Sequence, residues 1–211
     1  MQYYTIIAGS PITDPTYIKD MIHPKCIIIC ADGGANIAHE INVKPHIIIG
    51  DFDSISNDVL AHFKSYKDIS ITPSADQNTT DLQKALNLIP DDCTHISIFG
   101  ALGGRMDHVL ANILLLEQYK HPMRFTLHDE DHDIRIITND FTFSGQVGDK
   151  VGVLPLRPIE KLTYDGLKYP ADGIEGPYTL GWLGTSNVLE KEQATIYMQG
   201  GAAILIHYKV R

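Results

Sequence analysis

The 211-residue sequence has few cysteines, no excess of basic residues and no long apolar run. Its three cysteines, Cys26, Cys30 and Cys93, form neither a C-x-x-C pair nor an even-numbered framework, so we predict reduced, buried thiols in a cytosolic protein. Lys and Arg number 17 against 26 Asp and Glu, which gives a formal net charge of −9. An acidic protein gains nothing from counterion release on a polyanion, and this argues against nucleic acid as a partner.

Signals for a membrane or for export are also missing. The longest apolar runs, such as 26–31 and 47–49, are too short to span a bilayer. Residues 1–10 lack the basic stretch followed by an apolar one that marks a signal peptide. With 44% apolar and 20% charged residues, the composition is that of an ordinary globular protein, and we expect it in the cytoplasm, with no membrane partner.

The first part of the chain alternates short Ile-rich runs with helical patterns. Runs without polar alternation are typical of strands covered on both faces, and strand–helix alternation predicts a doubly wound, mostly parallel α/β domain. The predicted strands are 3–8, 26–31, 47–50, 69–72 and 95–99, and the predicted helices are 14–22, 35–41, 57–66, 80–88 and 105–119.

The pattern changes near His121 and Pro122. The remaining segments are short and alternating, and Gly and Pro separate them, which predicts an antiparallel β-sandwich or jelly-roll. We therefore place a boundary between an α/β domain at 1–122 and a β-sandwich domain at 123–211.

Polar motifs follow four successive predicted strands of the first domain. They are Asp32-Gly33-Gly34-Ala35-Asn36, Gly50-Asp51-Phe52-Asp53-Ser54, the segment 72–81, and Gly100 to His108. Ligands of open α/β sheets bind beyond the carboxyl ends of the strands, so these loops should meet at one edge.

Three carboxylates in these loops are candidate ligands of a divalent cation. Asp51 and Asp53 project to the same side of an extended segment, and repelling carboxylates are stabilised by a cation between them. The alternative is a turn in which an aspartate caps the next helix. Asp81 fits both interpretations, because Thr80 is a predicted N-cap closed by Gln83, while Lys84 lies one turn further on the same face.

The Gly-rich loops and the helix after Gly104 contain the remaining candidates. Bare amides at Gly33-Gly34 and before Arg105 favour anions, Arg105 is suited to a bidentate phosphate contact, and Asp107 would bind a ligand or orient Arg105. We expect this helix to bury an apolar face that includes Met106, Leu110 and Leu114. Trp182, near Thr185-Ser186-Asn187, is either a core residue or an aromatic platform.

Taken together and in this order, the motifs resemble those of the thiamine pyrophosphokinase family across nearly the whole chain. The motifs that carry the resemblance are Asp32 to Asn36, Gly50 to Ser54, Asp76-Gln77 with Thr80-Asp81 and Lys84, Gly103 to His108, and Thr185 to Asn187. The resemblance implies transfer of a diphosphoryl group from ATP to the hydroxyl of thiamine, with Mg²⁺ as the metal. It also implies a homodimer whose active sites lie at the subunit interface.

The resemblance assigns roles to individual residues. Asp51, Asp53 and Asp81 match the magnesium carboxylates, and with Asp107 they form the catalytic set, in which Asp81 or Asp107 is the candidate base. The ATP positions are Asp32, Gly33, Asn36, Gln77, Thr80, Lys84, Gly104 and Arg105. The thiamine positions are Trp182, Thr185, Ser186 and Asn187.

Two alternatives stay open at this stage. A related diphosphokinase would use another alcohol, such as a hydroxymethylpterin, but the Thr185-Ser186-Asn187 segment favours thiamine. A non-catalytic nucleotide or thiamine sensor would be expected to lack one of the carboxylates Asp51, Asp53 and Asp81, and all three are present.

Overall fold

The computed structural model describes residues 3–171, 176–182 and 184–210, and the chain divides into two compact units. The first unit ends at Glu130 and the second begins at Asp131. None of the helices in the described ranges has the length and apolar character that a bilayer crossing requires.

The first unit is a parallel α/β domain, as the sequence predicts. Its strands are β1 (Tyr3–Ile7), β2 (Cys26–Ala31), β3 (Ile47–Gly50), β4 (Ser70–Pro73), β5 (His95–Phe99) and β6 (Phe125–His128). Its helices are α1 (Thr16–Met21), α2 (Gly34–Glu40), α3 (Asn57–Lys64), α4 (Asp81–Leu86) and α5 (Met106–Glu117), and a 3-10 turn follows at Pro122–Arg124.

The strand order in this unit is β6-β5-β1-β2-β3-β4, and every neighbouring pair is parallel. The order reverses at β1, and at such switch points the loops beyond the carboxyl ends diverge and leave a crevice. The unit extends further along the chain than the boundary expected after residue 122. The reason is β6, which pairs in parallel with β5 and so extends the parallel sheet past residue 122.

The second unit is a β-sandwich. Its strands are β7 (His132–Ile137), β8 (Phe141–Ser144), β9 (Lys150–Arg157), β10 (Lys161–Asp165), β11 (Asn187–Val188), β12 (Gln193–Gln199) and β13 (Ala202–Tyr208). One antiparallel sheet has the order β11-β9-β13-β7, and the other has the order β10-β12-β8. Alternate residues of both sheets, such as Val153, Leu205 and Ile196, are buried in one apolar cluster.

Helix α5 differs from the expectation of a heavily buried apolar face. Ile113 and Leu116 are buried, but Met106, Leu110 and Leu114 are 67%, 53% and 49% exposed. These three residues are four apart and therefore share one face of the helix. The helix is apolar on two sides, and the described residues of the chain cover one of them.

Candidate active site

A cluster of three carboxylates lies where β2 and β3 end. Asp32, Asp51 and Asp53 each offer one oxygen, and these oxygens lie within 4.8 Å of one another. The cause is the parallel register of the two strands, which places Ala31 opposite Ile49 and starts both loops at the same level. The Asp32 backbone N–H continues this pairing by donating to the carbonyl of Ile49 at 2.8 Å.

The glycine at the end of β3 permits this close approach. A Cβ atom on Gly50 would lie 2.7 Å from the Cβ atom of Asp32, a separation that real side chains do not adopt. The backbone is also unusual at Asp32 and Phe52, whose φ angles are 41° and 65°. Non-glycine residues in this left-handed region are uncommon, and such strain is concentrated at functional sites.

Asp32 is the buried member of the cluster, with 2% of its surface exposed. Its Oδ2 accepts a hydrogen bond from the Ser54 backbone N–H at 3.0 Å. Its Oδ1 is buried and accepts no hydrogen bond from any residue in the described ranges. Burial raises the pKa of this carboxyl, the Ser54 amide opposes that effect, and the negative charge of Asp81 adds to it.

The two exposed members are ordered by neighbouring polar groups. Gln77 donates from Nε2 to Oδ2 of Asp51 at 3.1 Å, and this hydrogen bond is the main cause that lowers the Asp51 pKa. The Ser54 hydroxyl donates to Asp53 Oδ1 at 2.7 Å. Ser54 therefore contacts two of the three carboxylates, a role that the sequence did not predict, although Ser54 directly follows Asp53 in the motif.

The donor set fits a hard divalent cation. Buried polar atoms are normally hydrogen-bonded, and a buried carboxylate oxygen without a partner is a costly exception. Three carboxylates this close repel one another unless positive charge lies among them. Carboxylate oxygens are the ligands that Mg²⁺ prefers, usually one or two of them with phosphate oxygens and water.

The sequence predicted Asp81 as the third carboxylate of the cluster, whereas the three clustered carboxylates in the structure are Asp32, Asp51 and Asp53. Its Oδ1 accepts a hydrogen bond from Lys84 Nζ at 2.8 Å, and the Lys84 side chain is almost fully buried. The hydrogen bond to Asp81 raises the Lys84 pKa, and the charges of Asp51 and Asp76 add to this rise. The ammonium is thus held charged beside the carboxylates. The predicted cap is confirmed, because Thr80 Oγ1 accepts from the Gln83 N–H at 3.2 Å.

Asn36 and Gly33, which were expected to contact ATP, and their neighbour Gly34 have structural roles within the first unit. Asn36 donates from Nδ2 to the Ser54 carbonyl at 2.9 Å and accepts from the Ser56 N–H at 3.0 Å, so it orders the loop after Asp53. A Cβ atom on Gly34 would lie 1.9 Å from the carbonyl oxygen of Ile7. Gly34 is therefore required for packing against the end of β1. Gly33 is the N-cap residue of the helix that Gly34 begins.

The loop after β5 ends in an exposed ion pair. Arg105 donates from Nε and Nη2 to the two carboxylate oxygens of Asp107 at 3.1 and 2.5 Å. The hydrogen bonds from Arg105 are the main cause that lowers the Asp107 pKa to about 2. The sequence left two roles open for Asp107, and in the structure it holds the guanidinium at the start of α5. Gly104, just before this pair, has a φ of 78°.

The predicted thiamine positions in the second unit separate into two groups. Thr185 and Ser186 are exposed and line a cavity of about 420 Å³ together with Gly152, Leu154 and Ile206. Ser186 has a φ of 63°, the fourth non-glycine residue in the left-handed region among those described.

The other two predicted positions, Asn187 and Trp182, make contacts within the second unit. Asn187 is buried, donates to the Tyr169 carbonyl at 2.7 Å and accepts from the Tyr169 N–H at 3.0 Å. Trp182 packs against the core of the second unit, with its ring centroid 5.0 Å from that of Tyr178. The structure therefore shows that Trp182 packs against the core, and its contact with thiamine stays a prediction.

Fold and site together define a class of protein: an α/β unit with a carboxylate cluster at its strand ends, followed by a β-sandwich unit. Two family models match the same two parts of the chain. The model described as "Thiamin pyrophosphokinase, catalytic domain" matches residues 18–127, and "Thiamin pyrophosphokinase, vitamin B1 binding domain" matches residues 132–202. The chain belongs to the thiamin pyrophosphokinase family, whose members are ATP-dependent diphosphotransferases.

Curated relatives agree with this assignment. The chain is 31% identical to thiamine pyrophosphokinase 1 of Arabidopsis thaliana over 197 residues, which cover 80% of this chain and 73% of that protein. It is 29% identical to thiamine pyrophosphokinase of Bacillus subtilis over 98% of both chains.

Solved structures share the fold. The crystal structure of thiamine pyrophosphokinase from Bacillus subtilis superposes with a TM-score of 0.85, at 26% identity and over the full length of both chains. The crystal structure of yeast thiamin pyrophosphokinase gives a TM-score of 0.76 at 19% identity, over 98% of this chain and 85% of that one, and shows likeness of fold.

Proposed function

We propose that this protein transfers the diphosphoryl group of ATP to the hydroxyl of thiamine and releases thiamine diphosphate and AMP. Family membership supports the reaction class and both substrates. The observation that carries the proposal is the Asp32, Asp51 and Asp53 cluster with its unpartnered buried oxygen. A metal-dependent transfer from ATP needs such a donor set at the strand ends of the α/β unit.

We propose that Asp32, Asp51 and Asp53 hold Mg²⁺. A bound Mg²⁺ would neutralise phosphate charge as it shifts from the attacking to the leaving oxygen. Asp81, expected from the family match among the magnesium ligands, is proposed here to hold Lys84 charged beside the phosphates. The hydrogen bond between them, at 2.8 Å, supports this role.

Positioning and charge account for the rest of the mechanism. The thiamine hydroxyl oxygen attacks the β-phosphorus of ATP and loses its proton to a carboxylate base. The bond from that phosphorus to the α-phosphate oxygen breaks, and AMP leaves with the electron pair. Such transfers require alignment and charge neutralisation from the protein. Arg105 has five N–H donors and uses two on Asp107, so others are available for a phosphate.

The Arg105–Asp107 ion pair also bears on the choice of general base, for which Asp81 and Asp107 are the candidates. Asp107 has a pKa of about 2 and is therefore a weak base, which favours a positioning role on Arg105. Gln77 and Thr80 remain proposed contacts of the nucleotide through the loop and cap that they form. Gly104 would let the backbone approach a phosphate before α5.

For thiamine, we propose the cavity of about 420 Å³ that Thr185 and Ser186 line. Two exposed hydroxyls against Gly152, Leu154 and Ile206 offer polar contacts beside an apolar wall, which suits a small heteroaromatic ligand. Asn187 would act indirectly, by holding Tyr169 next to this segment.

We also propose that the protein is a cytoplasmic homodimer with its active sites at the subunit interface, as the family resemblance implies. The exposed apolar face of α5 supports an interface, because contiguous exposed apolar residues mark association surfaces. Light scattering after size exclusion should give twice the mass of the chain. Leu110→Lys should shift the mass toward the monomer, and Val147→Lys, a substitution at an exposed residue of the second unit, should not.

The reaction itself is tested by mixing the protein with ATP, MgCl2 and thiamine and by quantifying all nucleotides and thiamine esters. AMP and thiamine diphosphate should form in equal amounts. Release of ADP with thiamine monophosphate would show single phosphoryl transfer and overturn the proposal. A parallel reaction with a hydroxymethylpterin in place of thiamine tests the alternative acceptor.

A further inference from the structure

Two histidines on the first unit form a contact that the proposed reaction does not use. His39 lies in the last turn of α2 and His62 in the last turn of α3. Both are exposed, and their ring centroids lie 4.7 Å apart with an interplanar angle of 75°. Both rings line a cavity of about 290 Å³ together with Asn42, Lys44 and Tyr66.

This pair lies at the far end of the unit from the carboxylate cluster. Helices α2 and α3 begin in the loops that follow the carboxyl ends of β2 and β3, and they run back along the sheet. Their last turns therefore lie near the edge where the strands begin. The two helices pack against each other, so the imidazoles are held close by the helix backbones.

The 4.7 Å between the two ring centroids matches the centroid spacing of two imidazole ligands on one ion. Because a zinc–imidazole bond is about 2.1 Å, two imidazoles on one tetrahedral ion place their ring centroids about 5 Å apart. Zn²⁺, Cu²⁺ and Ni²⁺ accept neutral imidazole, whereas Mg²⁺ prefers hard oxygen ligands. The nearby Lys44 adds little repulsion, because its ammonium contacts Asp68 Oδ2 at 2.6 Å.

We propose that His39 and His62 form a second metal site that takes one transition ion, Zn²⁺ or Cu²⁺, with water as the remaining ligands. The ion would join the last turns of α2 and α3. In the first turn of α2, Asn36 donates to the Ser54 carbonyl in the loop that carries Asp53. Occupancy should therefore stabilise the first unit against unfolding, without a role in the reaction.

The test is calorimetric titration of the protein with Zn²⁺ in the presence of millimolar MgCl2, which competes for the carboxylate cluster proposed above as the Mg²⁺ site. Wild type should bind one Zn²⁺ that His39→Gln and His62→Gln each weaken at least ~10-fold, because one imidazole alone is no chelate. The double variant should be no weaker than either single variant. His121→Gln, at an exposed histidine elsewhere in the unit, is the matched control.

Thermal unfolding gives the second measurement. Zn²⁺ should raise the unfolding temperature of wild type and His121→Gln, and it should leave that of His39→Gln unchanged. All three proteins should unfold alike in EDTA and should turn over at the same rate with Mg²⁺ and ATP. Equal Zn²⁺ affinity in wild type and His62→Gln, or equal weakening by His121→Gln, would refute the paired site.

Discussion

Replacement of Asp32 by asparagine tests the buried carboxylate most directly. Asparagine keeps the shape of the side chain and still offers an oxygen to the Ser54 N–H, so the loop geometry should survive. What disappears is a negative charge that is buried and has one oxygen without a hydrogen-bond partner among the described residues. The substitution should therefore separate function from stability.

The sign of the stability effect follows from the pKa. Burial raises the Asp32 pKa, so the folded protein binds this proton more tightly than the unfolded chain does. The stability from the protonated carboxyl is present at low pH and is lost as pH rises through the raised pKa. At pH 7 the ionised group therefore opposes folding of the metal-free protein. Asp32→Asn should leave the free energy of unfolding unchanged or increase it.

The turnover of Asp32→Asn, in contrast, should fall. Loss of one strong electrostatic contact costs about 100-fold or more in turnover, or ~2.7 kcal/mol of transition-state stabilisation. A ligand at 100 times its Kd stabilises a protein by about 2.7 kcal/mol, so the stabilisation that Mg²⁺ with ATP gives wild type should also shrink in the variant.

The assays are AMP release at saturating substrates and thermal unfolding with and without Mg²⁺ and ATP. Asp58→Asn, in the exposed first turn of α3, is the matched control and should behave as wild type. A variant that turns over normally would remove Asp32 from the metal site. A variant that loses stability together with activity would show that the carboxylate is a structural partner of Ser54.

Three further predictions follow from the geometry. Gly50→Ala should destabilise the protein by about 1–3 kcal/mol in denaturant titration, because a Cβ atom there overlaps Asp32, and an unchanged midpoint would contradict the close approach. Arg105→Gln and Asp107→Asn should each lower kcat at least ~10-fold, and the double variant no further; additive losses would contradict a shared role. Burial alone would raise the Asp149 pKa, but backbone amides and His207 hold it below its usual range. The ionised carboxylate should therefore stabilise the folded protein above about pH 4, and this contribution should be lost as pH falls further. Asp149→Asn should flatten the acid limb of a stability–pH curve, and an equally steep limb would contradict that assignment.

Local patterns in the sequence predicted the elements well, because the signals are themselves local. Ile-rich runs without alternation predicted β2 and β3 as covered strands, and the Thr80 cap was confirmed where its side chain meets the Gln83 amide. The α/β class, the β-sandwich and the family assignment were confirmed in the same way. These features depend on residue type and spacing within a short window.

The partners of individual side chains could not be read from the sequence. Asp32 and Asp53 are far apart along the chain, and only the register of β2 against β3 brings them together. Asp81 was expected among the metal ligands, which stays a prediction, and no local pattern specified that the Lys84 paired with it would be buried. The position of β6 depends on its pairing with β5, which no local pattern specifies.

The sequence by itself determined the fold class, the family and the loops in which the carboxylates occur. Short-range spacing of apolar, Gly and Asp residues contains that information directly. Only the tertiary structure decided that Asp32 is the buried carboxylate, that Asp107 holds Arg105, and that Trp182 packs against the core of the second unit. It also left one apolar face of α5 exposed. Each of these features depends on contacts between segments that are distant in the sequence, and long-range packing determines those contacts.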